Sequence, residues 1–135
     1  TFGEWSGKAA GGSSGKECLQ INVKDNSAFG SFVQIPAVDG TIEKIEVTIR
    51  EPYKGRAIGI FPVGYTYTKD TLDKMKEQLA KDAIAISNET PSDVNNNEPF
   101  TFVIDNLSAK NLTQFSIFPT LGAVSITAIT VTYSK

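Results

Sequence analysis

The segment Lys44-Ile45-Glu46-Val47-Thr48-Ile49-Arg50 decides the fold. Ile45, Val47 and Ile49 alternate one by one with Lys44, Glu46, Thr48 and Arg50. Successive strand side chains point to opposite faces, so a period of two means one buried face and one wet face. Asp39-Gly40 supplies a turn signal before the segment, and Pro52 stops it.

Working outward, the same period recurs. Leu19, Ile21 and Val23 alternate with Gln20, Asn22 and Lys24. Residues 29–35 form an apolar run closed by Pro36, and residues 57–61 form another closed by Pro62. Pro99 opens the run 100–105, and the run 113–118 ends at Pro119. Proline cannot donate to a sheet ladder, so its place is at the ends of strands. In the last run, 124–133, Val124 and Ile126 share one phase while Ile129, Val131 and Tyr133 share the other. A β-bulge near Thr127 or Ala128 reconciles the two phases.

Residues 69–83 break the pattern. Leu72, Met75 and Leu79 recur at helical spacing among charged residues. Thr68 or Asp70 can cap this helix, and Asp70 and Asp73 suit its positive N-terminal end. The spacing predicts one short amphipathic helix laid over a sheet edge or end. Residues 83–87 read as a short strand, and 88–98, with Asn95-Asn96-Asn97, as a loop. Seven or eight short strands with Gly, Pro and Asn turns predict an all-β domain, an antiparallel two-sheet β-sandwich.

The chain of 135 residues is long enough for one domain with its own core, taken as 1–135. A net charge of −2 provides no basic field for nucleic acid or an anionic membrane, and no apolar run is long enough for a bilayer span. No signal peptide is recognised, so the chain is expected to be cytosolic or a fragment of a secreted protein. The single cysteine, Cys18, precludes an internal disulfide and a cysteine-based zinc cluster. It is expected to pack in its strand. The absence of histidine removes histidine triads and leaves only carboxylate chemistry for catalysis.

The loop Gly7-Lys8-Ala9-Ala10-Gly11-Gly12-Ser13-Ser14-Gly15-Lys16-Glu17 superficially suggests a phosphate cradle. A P-loop needs a glycine five residues before Gly15 and a hydroxyl after the lysine; Ala10 and Glu17 occupy those places. The loop also leads into a strand, not a helix whose N-terminus attracts anions. It reads as a surface connection into a strand.

The aromatic residues divide into two groups. Phe29, Phe32, Phe100, Phe102 and Phe115 lie in apolar runs and are core candidates. Trp5, Tyr53, Tyr65 and Tyr67 sit among Gly, Pro, Lys and Thr, and Tyr65 and Tyr67 share a strand phase. Such rings cover the C–H faces of a sugar while nearby polar groups bond its hydroxyls. Trp5, Tyr53, Tyr65 and Tyr67 are therefore the candidate ligand-binding platform, with Arg50 and Gln20 as polar contributors. Gln20, Asn22, Lys24, Gln34, Lys44, Glu46 and Arg50 form a wider set of alternating polar positions, each of which also suits an ordinary solvated face.

The opening stretch, Phe2-Gly3-Glu4-Trp5 followed by the Gly/Ser loop and Gly15-Lys16-Glu17-Cys18-Leu19-Gln20-Ile21, resembles the start of jelly-roll carbohydrate-binding modules from secreted bacterial polysaccharide-degrading enzymes. Phe102-Val103-Ile104-Asp105-Asn106 and the closing Ile126-Thr127-Ala128-Ile129-Thr130-Val131-Thr132-Tyr133 are similar to late strands of such sandwiches. The likeness covers about a third of the chain. It implies a jelly-roll and a non-catalytic module that binds plant cell-wall or related β-glycans. It further implies an extracellular setting such as a cellulosome, covalently attached catalytic or other modules, and no nucleic-acid or membrane partner. The helix at 69–83 departs from the compact modules. The last strand also lacks the aspartate that often holds a structural Ca²⁺ there, which weakens the case for a calcium carried by Glu4.

Two other readings stand beside this one. In the first, the chain is a structural or adhesion sandwich of a bacterial surface protein, with its aromatics merely packed. In the second, it is a small glycosidase or lyase built on two carboxylates among Glu4, Glu17, Glu46, Glu51 and Asp105. Sequons at Asn88, Asn106 and Asn111 matter only in a glycosylating source. With no histidine and scattered carboxylates, ligand binding is expected to need no metal. Polysaccharide binding should persist in a chelator; a complete loss that Ca²⁺ restores contradicts this.

Overall fold

The computed structural model describes residues 6–8, 19–21, 32–66, 68 and 71–135. The described residues form nine strands, one α-helix and a 3-10 turn. The strands are β1 (Ser6–Lys8), β2 (Leu19–Ile21), β3 (Phe32–Gln34), β4 (Thr41–Arg50), β5 (Ile58–Phe61), β6 (Ala85–Ile86), β7 (Phe100–Ile104), β8 (Ser116–Pro119) and β9 (Val124–Ser134). Helix α1 (Leu72–Asp82) joins β5 to β6, and the 3-10 turn is Ser108–Lys110.

The strands make two antiparallel sheets, β1-β3-β8-β5-β6 and β2-β9-β4-β7. Every step along the chain changes sheet except β5 to β6. The pairs β5 with β6, β4 with β7, β3 with β8 and β2 with β9 are nested. Alternate pairs fall in opposite sheets. This is one long hairpin rolled up from its β5–β6 end, the arrangement of a jelly-roll β-sandwich.

Ile45, Val47 and Ile49 point into the space between the sheets, where Ile21, Ile60, Phe102, Phe115, Ile117 and Ile126 meet them. Strands β4 and β9 form the longest ladder, and its register slips twice. Thr48 pairs with Ala128 but Ile49 pairs with Ile126, so Thr127 is the extra residue. This is the predicted bulge, and it turns Ile126 and Ile129 toward the same core. Thr127 Oγ1 donates to the Thr48 carbonyl at 3.3 Å, supplying a hydrogen bond where the ladder is interrupted. The second slip leaves Glu43 unpaired with β9, because Ile42 pairs with Tyr133 and Lys44 with Thr132. It lets both Ile42 and Ile45 face inward, and the Glu43 carbonyl accepts from the Leu107 amide at 3.0 Å.

The two sheets differ in what covers them. Strands β5 and β8 are buried at every residue, whereas β4 alternates. The outward side chains of β5 and β8, Phe61 and Phe118, form a second apolar cluster with Met75 and Leu79 of α1. The rings of Phe61 and Phe118 meet edge to face at 5.0 Å, and Phe32 stacks on Phe118 at 5.2 Å. A side chain at Gly59 would come within 2.9 Å of the Phe61 ring, so glycine leaves the space that ring needs.

Helix α1 therefore lies over the face of the five-stranded sheet, not over an edge or end. It also starts later than the spacing predicts. Thr71 is the N-cap and accepts from the Lys74 amide, in place of Thr68 or Asp70. Phe102 and Phe115 are buried as expected, while Phe32 and Phe100 are partly buried against the two clusters. Phe29 and Cys18 lie outside the described residues.

Leu79 is fully buried, and truncating such a leucine costs about 2–5 kcal/mol. Thr130 is exposed on the open face of the other sheet, where a change stays within about 0.5 kcal/mol. Urea unfolding should therefore separate Leu79→Ala from Thr130→Ala by at least the smaller of these gaps. Equal midpoints mean that α1 is not part of the cooperative unit.

Candidate functional site

Arg50 is the last residue of β4, opposite Ser125 of β9, and Ser125 is in turn opposite Gln20 of β2. Directly opposed residues share a sheet face. The register thus places Gln20, Ser125 and Arg50 in one row at one end of the four-stranded sheet. Lys44 and Glu46 lie farther along the same strand phase of β4 and pair with each other at 3.4 Å. Gln34 belongs to the other sheet.

Just past Arg50 the chain turns sharply. Glu51 adopts φ +47, Pro52 follows, and Gly55 at φ +69 completes the turn. A side chain at Gly55 would meet nothing within 4 Å, so glycine is needed there for its backbone angle alone. Thr90 holds this turn in place. Its hydroxyl accepts from the Arg56 amide at 2.8 Å and donates to the Tyr53 carbonyl. Its amide donates to the Arg56 carbonyl at 2.8 Å, and its own carbonyl accepts from the Gly55 amide at 3.2 Å.

The result is a cleft of about 190 Å³ lined by Ile49, Arg50, Glu51, Pro52, Tyr53, Arg56 and residues 123–125. Tyr53 is 58 % exposed, the most exposed large hydrophobic side chain among the described residues. The Arg56 guanidinium carbon lies 5.9 Å from the centre of the Tyr53 ring, and Arg56 Nε donates to the Ala123 carbonyl at 3.1 Å. Arg56 can lie there because residue 122 is glycine, where a Cβ would approach its guanidinium to 2.9 Å. Arg50 Nη2 is 3.9 Å from Glu51 Oε1, too far for a hydrogen bond, and Arg50 Nε is buried with no hydrogen-bond partner. A second hollow, lined by Arg50, Glu51, Asn96, Asn97, Glu98 and Pro99, adjoins the first across Arg50 and Glu51.

Of the six ligand-binding candidates, Tyr53 and Arg50 meet in this cleft, and Gln20 joins the row that ends at Arg50. Tyr65 goes elsewhere. Its ring packs 4.6 Å from Phe61 and 5.4 Å from Phe118, and its hydroxyl donates to Asp82 Oδ2 at 2.8 Å. That ring belongs to the helix-covered cluster, so Tyr53 and Tyr65 do not form a joint platform. Tyr67 and Trp5 lie outside the described residues, as do Asn22, Lys24 and Glu4.

Arg56, Asn96, Asn97 and the supporting Thr90 and Gly122 are site features the sequence reading does not single out. Arg56 shares the turn of Tyr53, and that proximity is the one local signal. The rest come from segments 34 to 67 residues distant. Among the described residues, no three His, Cys, Asp or Glu side chains converge to hold a metal ion. No helix among them is long and apolar enough to cross a membrane. No protein-family model, curated protein or solved structure gives a significant match to the chain.

Thr90 is 3 % exposed, so replacing its hydroxyl strands the Arg56 amide and the Tyr53 carbonyl. Losing such partners costs about 1–3 kcal/mol. Thr90→Val should lower unfolding stability by that amount, and Thr90→Ser, which keeps the hydroxyl, by clearly less. Equal losses show that the methyl group, not the hydroxyl, holds the turn.

Proposed function

We propose that this protein is a non-catalytic carbohydrate-binding module whose ligand enters the cleft between the turn 51–56 and residues 122–125. The observation that carries the proposal is Tyr53. It is a largely exposed ring beside two arginines, at the end of a sandwich in which α1 covers β5 and β8 of the other sheet. An apolar ring takes the C–H face of a pyranose, while guanidinium groups and the amides of Asn96 and Asn97 suit its hydroxyls. The ligand on this reading is plant cell-wall or related polysaccharide. The module serves to hold an attached catalytic domain near it, in a secreted bacterial protein outside the cell.

One observation favours a second reading. Glu51 and Glu98 line the same hollow, and glycoside hydrolysis needs two carboxyls flanking the scissile bond. Release of reducing sugar on incubation with the retained polysaccharide supports that reading; retention without release supports the binding module. A structural or adhesion role predicts neither.

Affinity electrophoresis against soluble glucans, xylans, mannans and pectins is the direct test. Removing a stacked ring commonly costs over ~1 kcal/mol, and ~1.4 kcal/mol is tenfold in affinity. Tyr53→Ala should weaken binding about tenfold with the thermal transition intact. Tyr65→Ala should lower that transition and leave affinity near the parent. Full affinity in Tyr53→Ala places the ligand elsewhere.

A further inference from the structure

The charges of the cleft go one step beyond the proposed function, on which this inference rests. Among the described residues, two guanidinium groups line a hollow in which Glu51 is the one carboxylate. Glu51 lies beyond hydrogen-bond distance of the Arg50 guanidinium and leaves its donors unsaturated. The buried Arg50 Nε has no partner at all. The Arg50 side chain is 31 % exposed although its Nε is buried, so its Nη groups are the donors an incoming oxyanion meets. On the other wall, Arg56 spends Nε on the Ala123 carbonyl. Its two Nη groups remain free of any hydrogen bond to the described residues. That Nε bond and the missing side chain at Gly122 fix where this fork points.

We infer that the cleft takes a carboxylate-bearing sugar, a uronic acid residue of an acidic polysaccharide. A planar guanidinium matches a planar carboxylate through paired N–H donors, which a lysine cannot reproduce. Among the described lining residues, two guanidinium groups stand against one carboxylate, a balance that suits an anionic sugar. The pyranose carrying that carboxylate lies on Tyr53. The next residue of the polymer reaches Asn96 and Asn97 in the adjoining hollow, which shares Arg50 and Glu51 with the first.

The test uses the full chain in affinity electrophoresis against four polymers: polygalacturonate, glucuronoxylan, carboxyl-reduced polygalacturonate and a sulfated neutral glucan. Retention by one or both uronates is expected, weakening as salt rises. Carboxyl reduction should weaken binding about tenfold or more. Arg50→Gln and Arg56→Gln should each do the same, with Arg50→Lys in between. Lys81→Gln, an equal charge change on α1, should have no effect, which separates a specific site from general electrostatic attraction. Thermal transitions identify any variant that fails to fold, and carboxyl reduction tests the claim without any variant. Equal retention by the reduced polymer, with the arginine variants unaffected, overturns the uronic acid claim while leaving the carbohydrate reading in place. Retention by the sulfated glucan but neither uronate overturns the carboxylate assignment. Retention by none of these or of the neutral polymers overturns both.

Discussion

The β4–β9 ladder is the constraint on which the rest of the molecule depends. It joins β4, in the first half of the chain, to β9, the last strand, so it closes the roll of the nested pairs. Its two bulges allow a long, twisting pair to keep facing one core. Without the extra residue at Thr127, the phase of β9 would invert, and either Ile126 or Ile129 would face water. Without the extra residue at Glu43, Ile42 and Ile45 would point to opposite sides. Both disruptions retain hydrogen bonds, through the Thr127 hydroxyl and the Leu107 amide. The same ladder carries Arg50 and Ser125 to its end as opposed residues. The candidate site is thus built on the most extensively paired part of the fold.

The two sheets divide the work. In one, strands β5 and β8 are buried on both faces, and their outward rings at Phe61 and Phe118 belong to the helix. The other keeps a wet face on which Thr48 and Thr101 exchange a hydrogen bond at 3.0 Å. Helix α1 occupies the innermost connection of the roll, between β5 and β6. Tyr65 ties the start of that connection to Asp82 near its end. A long insertion there leaves the outer pairs of the roll undisturbed. It also explains why Tyr65 serves packing while Tyr53, twelve positions earlier, stays open to solvent.

The half-wet strands were legible in the sequence because water on one face imposes alternation. Lys44 to Arg50 reads as a strand, and the phase change in β9 reveals its bulge. The bulge at Glu43 left a fainter sign, two isoleucines three apart at the start of β4. Strands buried on both faces carry no such period. Ile58-Gly59-Ile60-Phe61 reads as a strand only from its closing Pro62, and nothing in it says what lies over its second face. That is why the helix was expected at a sheet edge or end. Its cap was ambiguous for another reason: Thr68, Asp70 and Thr71 are all competent, and only the backbone path selects Thr71. At the site, Tyr53 and Arg50 stood out by residue type. Thr90 and Gly122 could not, because their roles exist only once distant segments meet.

That non-local origin has a physical consequence for the cleft. Its two guanidinium groups come from different supports. Arg50 extends from a paired strand end, and Arg56 from a turn clamped by Thr90 and by the Ala123 carbonyl. Long cationic side chains ordinarily lose much rotamer freedom when they bind, which offsets part of what their contacts contribute. Arg56 has already lost much of that freedom in the unbound chain, through one hydrogen bond and the space left by a glycine. Arg50 has its Nε already withdrawn from water. A cleft held in this way gains from a ligand that fits two pre-placed forks, and it gains little from one that merely carries charge. The geometry therefore favours discrimination by shape and by the position of the anion over general electrostatic attraction, and it does so with a chain whose net charge is negative.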